Sequence, residues 1–172
     1  DGIRDRDVTG VQTCALPIYA FCGLGFLDLY ETTFQAEDFA MAIQLAERAV
    51  ELFEDREAGG FFNSANSDLI LRLKDDYDGA EPSGNSVIVG LLLRLARMTD
   101  REDFRAVAER TLQAFTLRLE EAGTGLPQML VALQFLLGTP REIVLAGPQD
   151  AEFLSSIRRH FLPGAVVMRA EQ

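Results

Sequence analysis

The chain is short of positive charge: 16 Lys and Arg stand against 27 Asp and Glu, giving a formal net charge of −11 over 172 residues. Phosphate backbones are bound by clustered cations that neutralise them, and this sequence has no such cluster, so no nucleic-acid partner is expected. An anionic membrane surface is disfavoured for the same reason. No apolar run approaches the roughly 20 residues of a membrane-spanning helix. The Asp- and Arg-rich start also lacks the apolar centre of a secretory signal. These absences point to a soluble, cytoplasmic protein without a membrane partner. Cysteine is scarce too, because Cys14 and Cys22 make at most one bridge, and their spacing fits no familiar metal or redox pair. No metal site and no cofactor is expected.

What is present is an ordinary globular composition, with 48% hydrophobic and 25% charged residues and six prolines. The length suits one domain with a small appendage. The first eighteen residues stand apart from the rest. Val8 to Ile18 reads VTGVQTCALPI, which resembles the direct translation of a common short-read sequencing adapter, and it joins abruptly to a well-patterned helix. Residues 1–18 are therefore set aside as a non-native leader, and Cys14 with them.

From Tyr19 the apolar residues recur at the helical period. Phe21, Leu24, Leu27 and Tyr30 mark a first, largely buried helix, in which Gly23 and Gly25 suggest close approach to a neighbouring backbone. A second helix, from about Asp38 to Glu54, is amphipathic, with Phe39, Ile43, Ala46, Val50 and Phe53 in one stripe. Two short extended pieces follow, Gly59–Asn63 and Leu69–Leu73, which read as a hairpin inserted between helices. Lys74 to Gly84 reads as a loop, and Ser83 or Asn85 can cap the nearly all-apolar helix that runs to about Met98. An amphipathic helix from Arg101 to about Glu120 comes next, then another nearly all-apolar helix after Pro127, ended by Gly138 and Pro140.

Helices apolar all round thus alternate with helices apolar on one side, as two concentric helical rings require. The predicted fold is mainly α: a partial α/α toroid over residues 19–139, with a simple helical bundle as the competing arrangement. Residues 140–172 read as a small β-α-β appendage, with strands around Glu142–Ala146 and Ala165–Met168. Its Gly147-Pro148 turn lacks the spacing of a dinucleotide loop.

Asp78-Gly-Ala-Glu-Pro-Ser-Gly-Asn-Ser86 is the densest polar, turn-forming run, and it sits just before an inner helix, at the mouth of the inferred cavity. Asp78 and Glu81 offer two carboxylates for acid and base work or for holding sugar hydroxyls, and Ser83, Asn85 and Ser86 add neutral partners. Equally, Pro82, Gly84 and Asn85 build a turn and a cap, and that alone accounts for most of the composition. Glycoside hydrolysis needs two carboxyl groups about 5 to 10 Å apart, which this pair meets only if the loop bends suitably. Arg72 and Lys74 either neutralise an acidic substituent or pair with Asp78 and Glu81. Tyr19, Phe61, Phe62 and Tyr77 either stack on sugar rings or plug the hairpin onto the helices.

DYDGAEPSGNS, with IYAFCGLGFLDLYETT at Ile18–Thr33 and EAGGFFNS at Glu57–Ser64, resembles the carboxy-terminal part of the thioredoxin-domain-containing proteins related to spermatogenesis-associated protein 20. The likeness runs from Tyr19 to Gln172. It implies a six-hairpin toroid similar to glycosidases and N-acylglucosamine 2-epimerases, following a thioredoxin-like domain. That domain and the first hairpins are absent here and are the implied intramolecular partners. It further implies a cavity for a carbohydrate-type small molecule; the reading of the residues themselves then makes Asp78 and Glu81 the catalytic candidates and puts Arg72, Tyr77, Ser83, Asn85, Phe61 and Tyr19 around the ligand. Epimerase chemistry of the related toroids uses histidines, whereas this chain has one, His160, placed in the appendage. Cys22 reads as a buried core thiol. A scaffold acting with the thioredoxin-like domain in redox or protein interaction is the alternative function.

Overall fold

The computed structural model describes residues 15–65, 72–147 and 150–170. Most of the leader, the Leu69–Leu71 part of the second extended piece and the Pro148 turn lie outside these residues. The elements are α1 (Leu16–Thr33), α2 (Ala36–Phe53), α3 (Gly84–Thr99), α4 (Glu102–Ala114), α5 (Thr116–Ala122), α6 (Pro127–Leu137), β1 (Arg141–Leu145), α7 (Asp150–Ile157) and β2 (Ala165–Arg169). The protein is mainly helical, with a small sheet.

Helix α3 is the centre of the molecule. It packs against α1, α4 and α6, and Val87, Ile88, Val89, Leu91, Leu92, Leu93 and Leu95 are all buried, which is why it has almost no polar side. In front of it α1, α3 and α6 are neighbours in that order, while α2 backs α1 and α4 backs α3. Ala42, Ala46 and Ala49 line the buried face of α2, so the two backbones approach closely, and Phe39, Ile43 and Val50 flank that line half-buried. Of the two glycines in α1, Gly23 carries the close contact: a Cβ there would stand 2.6 Å from Leu91 Cδ2. Nothing lies within 4 Å of a Cβ at Gly25.

Four sequence expectations need correction. The flanking helices are not buried all round, because α1 leaves Ile18, Phe21 and Leu29 exposed and α6 leaves Leu130, Val131 and Leu137 exposed. Each has packing neighbours over only part of its circumference. Cys22 lies on that open side of α1 and is exposed, not a core thiol. The helix expected from Arg101 to Glu120 is broken at Phe115, whose N–H is shared between Thr111 O and Leu112 O at 3.2 Å each while its ring turns inward to 6% exposure. The first helix also starts earlier than Tyr19, since Leu16 is fully buried and donates its N–H to Asn63 O at 3.0 Å.

The described ends of the inserted segment do lie side by side, Asn63 N donating to Leu73 O at 2.8 Å. Glu54 bridges Phe61 and Ala15 bridges Ser64, both antiparallel. Gly59 and Gly60 both have φ of +76°, and a Cβ on Gly59 would stand 2.7 Å from Arg110 O, so only glycine lets this turn seat against α4.

In the β-α-β unit the strands pair in parallel from Arg141↔Ala165 to Leu145↔Arg169, with α7 as the crossover. Arg94 of α3 anchors this unit indirectly. It donates to Asp28 Oδ1 at 2.7 Å and pairs with Glu31 at 3.1 Å, and the other Glu31 oxygen accepts from Val167 N at 3.4 Å. Arg97–Glu142 and Arg158–Thr32 O add two more ties.

Candidate functional site

The loop Lys74–Ser83 is assembled from three directions, and its polar side chains make the joints. Ser83 caps α3, accepting from Ser86 N at 3.1 Å and donating to Ser86 Oγ at 3.0 Å. Of the two capping residues the sequence offers, Ser83 takes the role, which frees Asn85 for a different one. Asn85 is fully buried: its Oδ1 accepts from Phe61 N at 2.8 Å, and its Nδ2 donates to Phe61 O at 3.0 Å and Asp75 O at 3.3 Å. It pairs with the Phe61 backbone as a neighbouring strand would, fixing the glycine turn and the Asp75 segment to α3.

Asp78 makes the corresponding joint to α6. Its backbone N–H donates to Gly125 O at 2.7 Å, Oδ1 accepts from Ser83 N at 2.8 Å, and Oδ2 accepts from Gln128 N at 2.8 Å. The last contact places a carboxylate on one of the unpaired N–H groups in the first turn of a helix, where negative charge is favoured. Both oxygens are occupied and the residue is 8% exposed.

The remaining candidates divide. Phe61 is fully buried beneath the turn and presents nothing to a ligand. Tyr19 lies half-buried against Phe53, ring centroids 5.4 Å apart, where α1 meets the end of α2. Arg72 and Lys74 do not pair with Asp78 or Glu81. Arg72 stands over the Phe62 ring at 3.9 Å and donates to Ser64 O at 3.0 Å. Lys74 bonds Asp55 Oδ2 at 2.8 Å and Gly59 O at 2.6 Å. The Ala58 N–H, followed by the Lys74 ammonium, holds the Asp55 carboxyl below its usual range. His160 is exposed at the end of α7 with Nδ1 2.9 Å from Ser156 O, in the appendage.

Tyr77 and Glu81 do face solvent. They border an open hollow of about 610 Å³ lined by Pro17, Asp75, Asp76, Gly79, Pro82 and Gly84 with them. Asp76 is paired with Arg118 at 3.3 Å. Two residues that matter here carried no sequence signal as site residues. Gly125 meets the Tyr77 ring, and Gln128 contributes only its backbone N–H. The glycine pair in Gly123-Thr124-Gly125 was the one available hint. Among the described residues no group of His, Cys, Asp and Glu is arranged to hold a metal ion.

No protein-family model matches the chain. It is 37% identical over 160 residues to spermatogenesis-associated protein 20 of Rattus norvegicus and 36% identical over 160 residues to that of Homo sapiens, covering 89% of this chain and 20% of the relative in each case. An uncharacterized protein of Caenorhabditis elegans is 32% identical over 142 residues, covering 81% of this chain and 19% of that protein. The chain is thus homologous to proteins of which it spans about a fifth of the length.

Proposed function

We propose that this homologue of spermatogenesis-associated protein 20 is a carboxy-terminal segment of a six-hairpin α/α toroid, and that it supplies one wall of a cavity for a carbohydrate-type ligand. Its share of the work is binding and shape, not acid–base chemistry. The observation that carries this reading is the pairing of an open, aromatic-bordered hollow with a rim whose own polar groups are spent on holding the rim in place. Asp78 serves as the tie to α6, with both oxygens engaged by backbone N–H groups. A general acid or base must exchange a proton with its substrate within hydrogen-bond reach, and a carboxylate doubly bound to the fold is poorly placed for that. Tyr77, Asp75 and Glu81 remain open to the hollow. Sugar rings offer apolar faces to aromatic groups and hydroxyls to carboxylates.

The toroid reading draws on the order of α1, α3 and α6 in front of α2 and α4, and on the open apolar sides of α1 and α6, where further hairpins would pack. The whole parent protein, with a thioredoxin-like domain, is placed in the cytoplasm on this reading. Calorimetric titration of the chain with glucose and N-acetylglucosamine tests it: saturable binding is expected, weakened by Tyr77→Ala and unaffected by Arg72→Ala. Heats identical to ligand dilution would refute it. The second reading, a non-enzymatic scaffold acting with a thioredoxin-like domain, is favoured by the full engagement of Ser83, Asn85 and Asp78. It predicts no sugar binding and a direct association with that domain in a pull-down of the two purified parts.

A further inference from the structure

We infer that the hollow takes a neutral or amino-bearing sugar ring stacked on Tyr77 and rejects anionic sugars; this rests on the carbohydrate-type reading above. Tyr77 is 61% exposed, yet its ring is seated. One edge rests on Gly79, where a Cβ would stand 3.3 Å from Tyr77 Cε1, and the other on Gly125, where a Cβ would stand 3.2 Å from Tyr77 Cδ2. Both separations are tighter than ordinary carbon contact, so two glycines from different segments make the slot that holds the ring. The 2.7 Å bond from Asp78 N to Gly125 O keeps those segments together. An exposed aromatic group held this way loses little freedom when a ligand covers it, which is the condition for an efficient platform.

Charge then selects the ligand. The lining contains Asp75, Asp76 and Glu81 and no Lys, Arg or His. The cations the sequence placed nearby are occupied elsewhere, Arg72 at Phe62 and Ser64, Lys74 at Asp55 and Gly59. Arg118 offsets Asp76 alone, and the carboxylates of Asp75 and Glu81 have no ion-pair partner among the described residues. A ligand carboxylate or phosphate entering here meets negative charge with no compensating donor cation, while an ammonium group meets two acceptors. Exposed charges of this kind change affinity by roughly two- to fivefold each.

The test is calorimetric titration of the full chain with glucosamine, glucose and glucuronate, repeated with Tyr77→Ala, Tyr77→Phe and Glu81→Gln. Glucosamine should bind tightest and glucuronate about tenfold or more weaker than glucose, with the spread narrowing at high salt because exposed charges are screened. Tyr77→Ala should weaken glucose binding roughly five- to tenfold while Tyr77→Phe preserves it. Glu81→Gln should weaken glucosamine binding more than glucose binding and so narrow the preference between them. Glucuronate binding as tightly as glucose overturns the charge selection but leaves the sugar reading intact. Equal glucose affinity in Tyr77→Ala overturns the platform. Absence of binding by all three sugars overturns both this inference and the reading it rests on.

Discussion

The Asp78 carboxylate reaches across 50 residues of sequence to accept the N–H of Gln128 at 2.8 Å, so a loop ahead of one helix caps the start of another. A charged acceptor on a helix's first turn satisfies a donor that the helix itself leaves unpaired. The same carboxylate holds Ser83 N, which sets the entry to α3. One side chain thus fixes the spacing between the two helices behind the hollow.

Replacing Asp78 by Ala removes two charge-assisted bonds and strands two backbone donors, which should cost about 2–4 kcal/mol. Urea denaturation of the variant beside the parent chain measures this. A loss below about 0.5 kcal/mol would show that solvent supplies the same bonds.

Asn85→Ala should be comparably severe, about 2–4 kcal/mol, because Phe61 loses partners for both its N–H and its C=O in a dry setting. Asn85→Asp should not rescue it, since the Phe61 and Asp75 carbonyls need a donor that an ionised carboxylate lacks. Equal stability of the Asp variant and the parent would contradict the assigned geometry.

Asp55 gives the fold an acid-sensitive element. Its carboxyl is depressed in the folded state, first by the Ala58 N–H and then by Lys74, so its contribution is fully present above the unfolded value and is lost as pH falls through the folded one. That window lies below about pH 4. Asp55→Asn should therefore be less stable than the parent at pH 6, and the gap should shrink at pH 3. A gap independent of pH would remove Asp55 from the account.

The open sides of α1 and α6 predict association. Phe21 and Leu29 are exposed on α1, and Leu130, Val131 and Leu137 on α6. Light scattering after gel filtration should show mass rising with concentration, and the Val131→Lys, Leu137→Glu pair should reduce the rise. A monomer at every concentration would show that these faces need no cover.

Much of this architecture was legible in the sequence because it is local. Helical period, the Pro127 start, the Gly138 stop and the β-α-β order all follow from neighbours within a few residues. The Ser83 cap was legible too, as one of two choices. The joints were not. That Asn85 pairs with Phe61, 24 residues away, and that Phe61 is thereby buried instead of stacking on a ligand, depends on chain segments meeting in space. Sequence offers Asp78 and Glu81 as partners for Lys74 and Arg72, whereas the folded turn brings Asp55 to Lys74 and Phe62 to Arg72. Phe115 breaks its helix because its ring is drawn into the core, a tertiary demand that an unbroken apolar stripe conceals.

The measurement closest to the central claim is a map of backbone amide shifts in the isotopically labelled chain during titration with glucosamine. The account predicts saturable changes centred on residues 75–84, with Gly125 moving because it seats the Tyr77 ring, and little response in α7 or β2. Changes centred on the appendage, or none along the Asp75–Gly84 rim, would contradict it.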